Sequence, residues 1–184
     1  MKAYLIVLVT FFSLVLSSPT FAQKQKSIYD FVVKDIDGNN YDFSQLKGKK
    51  VLIVNTATNC GYANQFKELQ QLYLKYGGAD FEIIAFPSNN FLGQEPRTNP
   101  LIKRFCVDRY GVDYPLMEKI SVRGKYVHPF YIYLTDKKLN GVTDRKIIWN
   151  FQKYLIDENG RIVDVLAPSH SPLSDDVISW IEED

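Results

Sequence analysis

Cys60 and Cys106 are the two thiols of a 184-residue chain, and a thiol becomes a strong nucleophile once it loses its proton. Cys60 follows the apolar run Val51-Leu52-Ile53-Val54 and precedes a stretch of helical period. A cysteine that opens a helix meets unpaired amide N–H groups and the positive end of the helix dipole, and both favour an anion. Such settings lower a thiol pKa from about 8.5 to between roughly 3.5 and 7.5. The same place also suits a cysteine buried for packing in a tight turn.

Other chemistries fit less well. Disulfide reduction at a strand-to-helix cysteine wants Cys-x-x-Cys, and the residue three after Cys60 is Ala63. A copper site would want a second soft ligand one turn on, where Asn64 stands, and His128 and His170 are isolated. No metal or dissociable cofactor is therefore expected. Cys106 falls on an apolar helical face with Ile102, which fits a second redox thiol and a core filler equally. An even cysteine count in an exported chain also allows one structural bridge.

The elements that must position these thiols follow from periodicity and turn signals. A hairpin is expected over residues 31–43, around Asp37-Gly38-Asn39. The strand at Val51–Val54 feeds a helix with Phe66, Leu69, Leu72, Tyr73 and Tyr76 on one face, and Phe81–Phe86 reads as a second strand. A loop rich in Asn, Gly and Pro from Pro87 to Asn99 leads into a helix from Pro100, with Leu101, Ile102, Phe105 and Cys106 inward. A short helix over Pro129–Leu134, a hairpin of Lys146–Ile156 with Arg161–Leu166, and a last helix near Ser174 complete the series. This order fits an α/β, thioredoxin-like sandwich: a central mixed sheet flanked by helices, with an N-terminal β-hairpin.

Size and charge set the frame. A chain with 46% hydrophobic residues and 22 basic against 21 acidic side chains suits one globular domain and offers no field to gather nucleic acid. The first 22 residues differ, with Lys2 before an apolar stretch from Tyr4 to Leu16 and small residues up to Ala22. This pattern predicts a cleavable signal peptide over 1–22 and a mature domain over 23–184, exported to a periplasm or secreted, without stable membrane insertion. The apolar run falls short of the roughly 20 residues that span a bilayer, though an uncleaved anchor is the alternative.

Three separated motifs carry a family resemblance: VNTATNCG around Cys60, FPSNNFLGQEP from Phe86 to Pro96, and Trp149-Asn150-Phe151. Together with Tyr114-Pro115-Leu116, His128-Pro129 and Ala167–Leu173, they resemble glutathione peroxidases from about Ser27 to Ile181. The resemblance implies that Cys60 is the peroxide-attacking residue and that Gln94, Trp149 and Asn150 surround it. Those side chains donate hydrogen bonds without bringing a competing charge, so they can hold a thiolate and stabilise charge as the O–O bond breaks. It further implies that Cys106 resolves the Cys60 sulfenic acid by forming a disulfide, which a thioredoxin-like protein then reduces, with glutathione as the other candidate donor.

The segment between Leu134 and Lys146 is short, resembling the family's monomeric branch, which often accepts lipid hydroperoxides. Ser88, Asn90 and Arg97 depart from the family pattern, which commonly has Cys, Gln and Gly there. The competing class is a non-catalytic exported module whose two cysteines form a structural staple.

Overall fold

The computed structural model describes residues 27–183, so the expected signal peptide lies outside the described residues. Among the described residues the first two strands, β1 (Val32–Lys34) and β2 (Asn40–Asp42), form an antiparallel ribbon. Asp35 Oδ1 accepts from the amides of Asp37 and Asn39 to shape its turn. Gly38 supplies the positive φ of 89° that this turn requires.

β3 (Lys50–Thr56), α1 (Gln65–Tyr76) and β4 (Phe81–Pro87) form the expected parallel crossover unit. β5 (Lys153–Ile156) pairs antiparallel with β3, and β6 (Ile162–Leu166) pairs antiparallel with β5. The mixed sheet therefore runs β4-β3-β5-β6. All seven residues of β3 and of β4 are buried, as strands covered on both faces must be.

The pleat sends alternate β3 residues to opposite sides of the sheet. Val51 and Ile53 join a cluster with Phe43, Phe86 and Phe130, the last from α3 (Pro129–Leu134). Leu52 and Val54 join a second cluster with Phe66 and Leu69 of α1, Ile102 and Cys106 of α2 (Asn99–Tyr110), and Val177 of α5 (Asp175–Glu182). Cys60 belongs to this second cluster, so both thiols lie on one side of the sheet. Among the described residues, no helix is long and apolar enough to cross a membrane.

The structure departs from expectation at four places. Residues 146–152 do not extend β5, because Phe151 takes a positive φ of 69° that a strand cannot carry. A short α4 (Lys137–Asn140) was not foreseen in the sequence and is capped by the Asp136 side chain. Leu101 is 45% exposed rather than inward, since α2 buries the stripe of Ile102 and Cys106. Cys60 stands five residues before α1, in a run of turns, rather than in its first turn.

Candidate active site

The β3–α1 connection sets the electrostatics of Cys60. The amides of Gln65, Phe66 and Lys67 are taken up by the carbonyls of Tyr62, Ala63 and Asn64. The N-terminal amides of α1 are thus not offered to the sulfur as the sequence suggests. What reaches the thiol is one amide, Tyr62 N–H, which donates to Cys60 Sγ at 3.4 Å. Cys60 itself is only 6% exposed.

A buried carboxylate fixes the approach to Cys60. Glu95, fully buried, accepts from Thr58 N–H at 2.7 Å and Thr58 Oγ1 at 2.9 Å. One residue on, Asn59 N–H donates to the Gln94 carbonyl at 3.0 Å. The Gln94 loop is therefore sewn to the thiol segment at two successive positions. Its own shape is held by Asn89 Oδ1, which accepts from Glu95 N–H, and by Ser88 Oγ donating to Asn90 Oδ1. Asn90 Oδ1 also accepts from Val122 N–H, so Ser88 and Asn90 form a working turn of their own.

Asn55 brings in the third segment. It is a fully buried amide at the end of an apolar strand; its carbonyl accepts from Phe151 N–H at 2.6 Å and its Nδ2 donates to the Trp149 carbonyl at 3.1 Å. These bonds splice residues 149–151 onto β3 just before the Cys60 turn. Lys153, also fully buried, secures the far end, donating to the carbonyls of Phe151, Pro168 and His170. Burial pushes its ammonium down to about 7, against the pull of the Glu68 carboxylate.

With these supports in place, Asn150 Nδ2 donates to Gln94 Oε1 at 3.0 Å. Trp149 packs on Phe91 with ring centroids 5.3 Å apart and planes tilted by 49°, and it also packs against the cluster that contains Cys60. The structure thus joins Gln94 to Asn150 directly, and joins Gln94 to the Cys60 segment through Asn59. The sulfur's own bond is to the Tyr62 amide rather than to a carboxamide or the indole.

Cys106 sits in the middle of α2 with no exposed surface, and it and Cys60 are free thiols. Burial pushes the Cys106 thiol up to about 12; the Glu95 carboxylate adds to the rise and the Arg97 guanidinium opposes it. The two histidines have structural partners: His128 Nδ1 accepts from Phe130 N–H at the start of α3, and His170 pairs with Asp176. Among the described residues, no group of three or more His, Cys, Asp or Glu side chains could hold a metal ion.

Sequence reasoning missed Asn55, Glu95 and Lys153. For Asn55 and Lys153 the signal is a polar or charged residue inside or beside a buried run, which is costly unless hydrogen-bonded, whereas Glu95 lies among mostly exposed loop residues and carries no such signal.

The family profile described as glutathione peroxidase matches residues 28–135. Over 154 residues the chain is 47% identical to the probable phospholipid hydroperoxide glutathione peroxidase 6, mitochondrial, of Arabidopsis thaliana, covering 83% of this chain and 66% of that protein. It is 40% identical to the glutathione peroxidase homolog BsaA of Bacillus subtilis, covering 85% of this chain and 99% of the relative. The crystal structure of T. cruzi GPX1 superposes with a TM-score of 0.65 at 34% identity, over 85% of this chain and 97% of the other. A thioredoxin family protein of Chlorobium tepidum superposes with a TM-score of 0.61 at 20% identity, over 82% and 92% of the two chains, which marks the fold as thioredoxin-like.

Proposed function

The chain belongs to the glutathione peroxidase family, and from that premise we propose that it is a thiol peroxidase for hydrogen peroxide and organic or lipid hydroperoxides. The Cys60 thiolate attacks the terminal peroxide oxygen. An S–O bond forms, the O–O bond breaks, and the departing alkoxide or hydroxide takes a proton, leaving a Cys60 sulfenic acid. The Tyr62 N–H facing the sulfur supports the thiolate before attack. Gln94, Trp149 and Asn150 supply neutral donors for the charge that develops on oxygen.

The observation that carries this reading is the Asn150–Gln94 hydrogen bond, whose Gln94 end is anchored through its carbonyl to Asn59, the neighbour of Cys60. Like Asn55 Oδ1 and Thr56 Oγ1 at the end of β3, Asn150 Oδ1 is buried without a partner. Turning both carboxamides over would keep their mutual bond and direct an Asn150 N–H where that oxygen now lies. The pair suits a site that must meet both a thiolate and a peroxide.

The Cys106 thiol then attacks the sulfenic sulfur, expelling water and leaving a Cys60–Cys106 disulfide. A thioredoxin-like dithiol returns both sulfurs to thiols, with glutathione as the other donor. The apolar stretch from Tyr4 to Leu16 supports action after export, in a periplasm or outside the cell, and the short segment between Leu134 and Lys146 supports a monomer.

Turnover assays test the scheme. Cys60→Ser abolishes peroxidase activity, and Cys106→Ser consumes about one equivalent of peroxide but stalls with thioredoxin. Normal turnover of either variant with thioredoxin contradicts the assigned role.

A further inference from the structure

Arg97, in the loop before α2, touches the residues that directly precede both thiols. Its Nη1 donates to Thr58 Oγ1 at 2.5 Å and to Asn59 Oδ1 at 2.7 Å, and Asn59 is bonded in sequence to Cys60. The same guanidinium lies over the Phe105 ring with 4.7 Å from Cζ to the centroid, and Phe105 precedes Cys106. Both ends of this contact are anchored. Thr58 is clamped by buried Glu95, and the Arg97 carbonyl accepts from Lys119 Nζ at 2.6 Å.

We propose that Arg97 is a positioning residue for the resolving step, a latch that ties the Cys60 segment to the Cys106 helix and whose release sets how fast the second thiol reaches the first. The proposal rests on the two-thiol peroxidase reading above.

A disulfide brings its Cα atoms to roughly 4.4–6.8 Å. Cys106 is fully buried within α2, held by the helix on both sides. In the latch reading Cys106 reaches Cys60 by unwinding of that part of α2, an opening of the local kind that single helices undergo. Unwinding at Phe105 and Cys106 lifts the ring from Arg97, so the cation–π contact resists the opening while the hydrogen bonds from Nη1 hold the guanidinium in place. The step they restrain is balanced: the Cys106 S–H loses its proton, its sulfur bonds to Cys60 sulfur, and the sulfenic hydroxyl leaves with a proton as water.

Rapid mixing of the reduced protein with one equivalent of peroxide, followed by quenching and mass analysis, separates sulfenate formation from disulfide formation. In Arg97→Met, disulfide formation is expected to quicken about threefold to tenfold, the scale of losing a cation–π contact, while sulfenate formation changes by less than about twofold. Phe105→Leu moves the same step in the same direction. The double variant is no faster than the faster single, because both remove one contact. Arg97→Lys, which keeps the charge but has no planar guanidinium to lie over the Phe105 ring, falls between. Hydrogen exchange on the reduced proteins gives a second readout, with residues 99–110 less protected in Arg97→Met. Unchanged or slower disulfide formation, additive singles, or unchanged protection overturns the latch alone. A wild type that forms sulfenate but no Cys60–Cys106 disulfide overturns the two-thiol reading and the latch with it.

Discussion

Asn150 and Gln94 share a hydrogen bond of 3.0 Å across 56 positions of sequence, and Asn150 keeps its other amide atom buried without a partner. A side chain held in that state contributes little to stability, since an unpaired buried acceptor costs about 1–3 kcal/mol and offsets the bond it makes. Asn150→Ala is therefore expected to slow the reaction with peroxide about 100-fold while shifting the unfolding midpoint only slightly. Stopped-flow kinetics alongside thermal unfolding measures both. A large loss of stability with unchanged peroxide kinetics would make Asn150 a packing residue.

Asn55 Oδ1 is likewise buried without a partner, but its Nδ2 meets a main-chain carbonyl rather than another side chain. Its side chain satisfies the Trp149 carbonyl, and replacing it by Ala strands that carbonyl. The expected loss is about 1–3 kcal/mol of stability, with slower peroxide reduction as the Trp149–Asn150 segment loosens. Urea unfolding gives the first number. An Asn55→Ala protein as stable as the wild type would show that water replaces the bond without loss.

The sheet and most helices were legible because their periods are plain: Val51–Val54 and Phe81–Phe86 are continuous apolar runs, and Phe66, Leu69 and Leu72 repeat at helical spacing and are all buried. Pro129–Leu134 was found to the residue. What the sequence hid is nonlocal. No periodicity marks Phe151 as a positive-φ residue that delays the start of β5, because its amide is turned by the carbonyl of Asn55, far away in the chain. Likewise, the turns that take up the N-terminal amides of α1 depend on the Glu95 and Gln94 contacts at Thr58 and Asn59. The motifs identified which residues to bring together, while the contacts that do so lie in Asn55, Glu95 and Lys153.

Lys153 gives the fold a pH signature. Its folded pKa is lowered to about 7 from 10.5, so between those values the unfolded chain binds more protons than the folded one. Stability from this group therefore rises with pH across that window, and its penalty is fully present below about 7. Denaturation midpoints of the wild type and Lys153→Met at about pH 7 and about pH 9 isolate the group. The wild type should gain on the variant at the higher pH. A constant difference would mean that the three carbonyl partners keep Lys153 charged throughout.

Cys106 gives the resolving step a pH signature of its own. In the closed helix burial raises its thiol to about 12, whereas an unwound segment returns it to about 8.5. The open form thus releases its proton first, and alkali favours opening as well as the thiolate that attacks. Disulfide formation should accelerate with rising pH, approaching tenfold per unit below about 8.5. Quenched-flow measurement at several pH values checks it. A flat profile would place the limiting step in the helix opening alone, before any proton is lost.

The central claim is that Cys60 and Cys106 together reduce a peroxide, and a thiol count during a peroxide titration tests it most directly. The fully reduced protein, given cumene hydroperoxide in substoichiometric steps, should lose two thiols for each molecule of cumyl alcohol formed, and peptide mapping should find a Cys60–Cys106 bond. Slow thiol loss without matching alcohol, or alcohol formed with both thiols intact, would contradict the account.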